Sequence, residues 1–131
     1  MSQRFRFLVH TRFQEQLDRF VETNLDAWPS LLTQVRKARN DPFRAGKAMH
    51  DIPIKKLQGC IYRLHVRGRR GFRFIYLVDH SRQIVMGIFV SSEVKSKFDY
   101  EKVPWDEYAD EIYEDLVCGN IEKFTEFILP D

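Results

Sequence analysis

The chain has little of what most chemical sites are built from. Its two cysteines, Cys60 and Cys118, have no CxxC spacing, which excludes both a zinc-ribbon site and a disulfide framework. Both sit in apolar runs and are expected as buried free thiols. The four histidines (His10, His50, His65 and His80) are scattered, with no HxxxH pattern and no adjacent carboxylate ligand set, so no metal is expected. GxxxxGK[ST], GxGxxG and GxSxG are all absent, which removes phosphate-cradling loops and the nucleophile elbow; no cofactor is expected. No apolar run approaches the ~20 residues of a membrane-spanning helix. The first residues, Met1-Ser2-Gln3-Arg4-Phe5, carry no apolar signal segment, so a cytoplasmic protein without a membrane partner is expected. Repeats and low-complexity tracts are missing too.

What is present is charge, unevenly placed. The 131 residues form one expected domain, with a net charge of only +2. Residues 1–100 hold 19 Lys and Arg against 9 Asp and Glu, whereas residues 101–131 hold 2 against 10. A basic body is the electrostatic footprint of a nucleic-acid or phosphate binder. An acidic end with apolar stripes is expected to pack on its own body.

The pattern predicts an α+β fold, a small antiparallel sheet with helices on it. Residues 4–9 alternate basic and apolar and predict a strand. Thr11 stands where an N-cap would, before a helix over 12–25 whose buried stripe is Phe13, Leu17, Phe20, Val21 and Leu25. A second helix is expected from Trp28 or Pro29 to Asn40, stopped by Asp41-Pro42. Residues 43–58 have little periodicity and read as a loop holding at most a helical turn. Three strands follow as a meander: Ile61–Arg67, Phe72–Val78 and Ile84–Val90. Gly68-Arg69-Arg70-Gly71 makes the first turn and residues 79–83 the second. The second and third strands are apolar on both faces and are expected inside the sheet. Short helices are expected at 93–100, capped by Ser91 or Ser92, at 105–117, ended by Cys118-Gly119-Asn120, and around Ile121, Phe124, Phe127 and Ile128.

The first meander strand carries the chemistry. Tyr62, Leu64 and Val66 share one face; Arg63, His65 and Arg67 share the other, about 6.5–7 Å apart. Arginine grips phosphate with a fixed fork of donors. His65 can exchange a proton near neutral pH, and its cationic neighbours favour the neutral imidazole. RNA cleavage by 2′-hydroxyl attack needs a base, an acid and cations on the phosphorane, and no metal. A row of Arg, His and Arg is also simply the wet face of a sheet, and the two readings differ in geometry. Arg73 joins His65 only if paired residue numbers sum to an even value; an odd register turns it away. Arg69 and Arg70, in the turn, read as solvated cations.

The series Lys56-Leu57-x-Gly59-x-x-Tyr62-Arg63-Leu64-x-Val66, then Phe72-Arg73-Phe74-Ile75-Tyr76, then Val85-x-x-x-Phe89-Val90, resembles the RelE/ParE superfamily of toxins from bacterial toxin–antitoxin pairs. The resemblance covers about residues 4–100 and leaves 101–131 outside it. It implies an N-terminal strand plus a three-strand meander, packed against two N-terminal helices, and a partner antitoxin. It implies a ribosome-dependent mRNA interferase, an endoribonuclease and hydrolase; ParE-like members instead inhibit DNA gyrase, and a degenerate member would only bind its partner. Carried over, catalysis falls on Arg63, His65, Arg73 and Tyr100, with Lys55, Lys56, Arg67, Arg69, Arg70, Lys95 and Lys97 as RNA or phosphate contacts. Where an arginine often follows the last strand, this chain has Ser91-Ser92-Glu93.

Overall fold

The computed structural model describes residues 5–57, 59–68, 71–91 and 97–127, apart from the side chains of Phe89, Ser91, Lys97 and Phe98. It is an α+β fold. The order is β1 (Arg6–His10), α1 (Thr11–Thr23), a 3-10 turn (Leu25–Ala27), α2 (Trp28–Asn40), α3 (Pro42–Ala45), β2 (Lys47–Ile54), β3 (Gly59–Val66), β4 (Phe72–Asp79), β5 (Ile84–Ser91), α4 (Lys97–Lys102), α5 (Trp105–Val117), a 3-10 turn (Ile121–Lys123) and β6 (Phe124–Glu126). The sheet runs β2-β3-β4-β5-β1-β6.

The expected meander is present as β3, β4 and β5, and the sheet exceeds the expectation at both edges. Lys47–Ile54, read as a loop, is strand β2, antiparallel to β3. The register slips between Met49 and Pro53, so the side-chain alternation that marks a strand is broken there. Phe124–Glu126, read as part of a short helix, is edge strand β6, antiparallel to β1. The pairing of β1 with β5 is parallel, the one parallel pair in the sheet, because α1 and α2 carry the chain away before the meander returns.

Local chemistry sets the helix ends. The cap of α1 is His10 and not Thr11: its Nδ1 accepts the Arg12 backbone N–H at 3.1 Å. Helix α5 ends as expected, with Gly119 at φ 77°. The Asn120 N–H reaches the Asp115 carbonyl and the Gly119 N–H the Leu116 carbonyl, closing a Schellman motif. Helix α4 begins at Lys97; the expected start at Glu93 and its Ser92 cap lie outside the described residues. Cys60 is buried, but Cys118, at the C-cap of α5, is exposed: a helix end has no second layer over it.

Both faces of the sheet are covered. Tyr62, Leu64, Phe72 and Phe74 point to the side of α1–α3, where Phe20 meets Phe72 edge-on at 4.6 Å and Phe43 meets Tyr62 at 6.1 Å. On the other side lie Ile61, Arg63, His65, Arg73, Ile75 and Leu77, continued by Met86, Leu8 and His10 through the pairing of β4 with β5 and β5 with β1. Helix α5 crosses this second face. Asp106 accepts the Lys55 backbone N–H near the β2 edge, and Asp115 meets His10 on the β1 side. Ile112 and Ala109 are fully covered between. The acidic end is therefore packed on the sheet through an apolar stripe, with Glu107, Asp110 and Glu114 turned to solvent.

Candidate functional site

Antiparallel pairing places His65 directly opposite Arg73, the even register that puts both on one face. Arg63, opposite Ile75, lies two residues back along β3 on that face. Arg73 Nη1 stands 3.3 Å from His65 Nδ1. A guanidinium can only donate, so Nδ1 accepts, and the proton of the neutral ring sits on Nε2. Burial lowers the His65 pKa first, and Arg73, Arg63 and Arg67 lower it further, in that order. The imidazole is thus neutral at pH 7, with its one lone pair occupied by Arg73. Gly71 stands beside the pair; a Cβ there would lie 3.7 Å from Arg73 Nη1 and 3.8 Å from His65 Cε1, so the turn crowds neither side chain.

Tyr100 of α4 joins them from above. It is fully buried, and the Arg63 guanidinium carbon is 6.0 Å from its ring centroid. Burial raises the phenol pKa, against the opposing pull of Arg63 and Arg73. Arg73 Nε is buried and lacks a hydrogen-bond partner among the described residues, while the buried Tyr100 hydroxyl has the Arg63 and Arg73 guanidiniums turned toward it. An orphaned donor costs about 1–3 kcal/mol. His65 remains exposed, Arg63 and Arg73 are half-buried, and none of the three has a carboxylate partner among the described residues.

The four expected catalytic residues therefore meet in one place; the expected RNA contacts do not all follow. Arg67 is next to them, exposed, with its backbone N–H held by Ser30 Oγ at 2.8 Å. Lys55 and Lys56 are at the opposite end of β3, about 13 Å or more from Arg63 at ~3.3 Å per residue. There the Lys56 ammonium lies 5.8 Å from the Tyr113 ring centroid and Arg82 5.3 Å from the same ring. Arg69, Arg70 and Lys95 lie outside the described residues, as does the side chain of Lys97. His80 is a packed turn residue, 6.3 Å from the Phe5 ring and 5.5 Å from that of Phe43.

The sequence reading found no role for His10. It is buried, and its Nε2 donates to Asp115 Oδ2 at 2.6 Å while Nδ1 takes the Arg12 N–H. Asp115 also accepts from Asn120 and Lys123. His10 and these partners hold its carboxyl down at about 2. The partners are 105 positions apart, beyond any local pattern; the only hint was a polar residue ending an apolar strand. Arg12 adds an ion pair to Glu111 and lies 4.6 Å over the Tyr108 ring. These contacts fasten the extension and hold no reacting group. A cavity of about 510 Å³, lined by Leu17, Val21, Trp28, Leu32 and Phe127, opens on the other face of the sheet, away from His65. Among the described residues no group of three or more His, Cys, Asp or Glu is placed to hold a metal, and no helix is long and apolar enough to cross a membrane.

Fold and site together define an α+β protein with a basic, histidine-centred face under an acidic helical extension. Comparison with protein-family models, with curated proteins and with solved structures yields no match for this chain.

Proposed function

We propose that this chain is a RelE-like toxin of a toxin–antitoxin pair, an endoribonuclease that cuts mRNA on the ribosome, in the cytoplasm, by 2′-hydroxyl attack without a metal. The observation that carries the reading is the register pairing His65 with Arg73, with Arg63 beside them. In the proposed reaction Arg63 and Arg73 hold the non-bridging oxygens of the scissile phosphate. As Arg73 Nη1 moves from His65 Nδ1 to a phosphate oxygen, it frees the lone pair that takes the 2′-hydroxyl proton. The 2′-oxygen bonds to phosphorus, the bond to the 5′-oxygen breaks, and the leaving oxygen takes a proton from Tyr100, whose raised pKa keeps its phenol protonated. The products are a 2′,3′-cyclic phosphate and a 5′-hydroxyl, and His65 returns the proton to the phenolate through solvent.

The test is primer extension on translated mRNA. Wild type is expected to cut; Arg73→Ala and His65→Ala are each expected to lose at least ~100-fold, the usual worth of a positioned acid–base or charge-stabilising group. No cutting by wild type, with gyrase supercoiling inhibited, replaces the reading by a ParE-like one. Neither effect leaves a toxin fold that only binds its antitoxin.

A further inference from the structure

We infer that helix α4, braced by the acidic extension, is a built-in cover for the anion site, and that Tyr100 is the side chain that closes it. The inference rests on the reading of the Arg63–His65–Arg73 face as a phosphate-binding surface.

Three observations lead to it. First, the extension is fastened without help from α4. Asp115 is locked to His10, Arg12 pairs with Glu111 and covers Tyr108, and Tyr113 lies under both Lys56 and Arg82. Helix α5 is thus a fixed frame. Second, α4 is six residues long, and among its described side chains Tyr100 is the fully buried one, seated against Arg63. The Trp105 indole N–H donates to the Tyr100 carbonyl at 2.7 Å and ties this seat to the start of α5. Third, the closed arrangement leaves Arg73 Nε buried without a partner and turns two guanidiniums, Arg63 and Arg73, on the single buried hydroxyl of Tyr100. The side chain offers those two guanidiniums one phenol oxygen, whereas a phosphate offers several.

The closed form is therefore short of acceptors where a phosphate would supply them. Phosphate entry requires the Tyr100 ring to shift off Arg63 to the edge of the site, where its hydroxyl still meets the leaving oxygen, and the ligand satisfies what the ring does not. Apparent affinity is the intrinsic affinity multiplied by the fraction of molecules that are open, and removing the ring restores it.

The probe is pyrophosphate, measured by calorimetry on the full chain, with a single-stranded RNA oligomer in parallel. Tyr100→Ala is expected to bind pyrophosphate at least tenfold more tightly than wild type. Tyr100→Phe, which keeps the ring, is expected to show no gain, and Arg63→Ala in the Tyr100→Ala background to lose it. Equal affinity in wild type and Tyr100→Ala, or an equal gain in Tyr100→Phe, overturns the inference. A second readout does not depend on how Tyr100→Ala folds. In a Trp28→Phe chain, pyrophosphate is expected to shift Trp105 emission to the red as the seat opens; saturation with no shift overturns the cover. A gain for pyrophosphate with no binding of RNA keeps the cover and sinks the nuclease reading. RNA cleavage with no gain in pyrophosphate affinity does the reverse.

Discussion

Replacing Arg73 with methionine tests the heart of the site. The change removes one charge and one donor while keeping an unbranched side chain of similar length. In the native protein the guanidinium acts on His65 in two ways. Its charge opposes protonation: two unit charges 3.3 Å apart repel by about 1 kcal/mol at the dielectric of water. The exposure of His65 makes the water value the appropriate one. Its N–H also occupies Nδ1, so a proton can bind there only after that hydrogen bond breaks. Both effects lower the His65 pKa, and both vanish in Arg73→Met, so it is expected to rise. Burial, the largest cause of the lowering, persists, and so do Arg63 and Arg67, so it should stay below the ordinary value of ~6.5. The assay is a proton–carbon NMR titration of the His65 Cε1 signal, with the other three histidines as internal references. Salt should raise the wild-type value partway in the same direction, by screening. In a cleavage assay the acid limb of the pH profile should move to higher pH with it, since the neutral ring is the base. A His65 titration that ignores the substitution, or that responds more to Arg67→Met, would refute the pairing and the site built on it.

Further outcomes follow from single contacts. Asp115→Asn should remove a stabilisation that wild type holds above pH ~4 and loses as pH falls toward 2, because the folded carboxyl sits at about 2; urea midpoints between pH 2 and 6 should converge at the acid end. Gly87→Ala would place a Cβ 2.8 Å from the Phe74 ring and 3.2 Å from that of Phe7, two buried rings, and should cost about 1–3 kcal/mol by denaturant titration. Tyr76→Phe strands the buried Pro42 carbonyl, which now accepts the Tyr76 hydroxyl at 2.5 Å, and should lower stability by about 1–3 kcal/mol.

The central strands were legible because alternation, or its loss, reports burial directly. Tyr62, Leu64 and Val66 alternate with Arg63 and His65, whereas Phe74–Val78 is apolar throughout and sits inside the sheet. The edge strands were not. In β2, His50-Asp51-Ile52-Pro53 combines a register slip with a proline that cannot donate to a ladder, so the segment looks irregular and is tolerated only at an edge. In β6, three residues carry no period at all, and the strand exists because β1 offers it a partner. For the site, the sequence set out the condition of even register, and only the fold could meet it. Lys55 and Lys56 were grouped with the site by nearness along the chain, but a strand carries them to its other end. The contact of His10 with Asp115 and the seating of Tyr100 against Arg63 belong to tertiary packing and have no local signature.

The parallel placement of β1 has a consequence for how the chain is assembled. The first strand lies between β5 and β6, and Arg6 reaches Glu126 across 120 positions. During synthesis β1 waits with both edges unpaired, gains β5 on one side, and gains β6 only once Phe124–Glu126 has emerged. Pairings of such long range are slow to form, since the loop must close before the contact rewards it. Chains released early would keep an open edge beside β1, a template for association with other chains. They would also lack the Asp115 anchor on His10. A ribosome stalled before the 115–126 segment has emerged would therefore present the basic face before its latch exists, so the order of synthesis itself separates a folded sheet from a covered one.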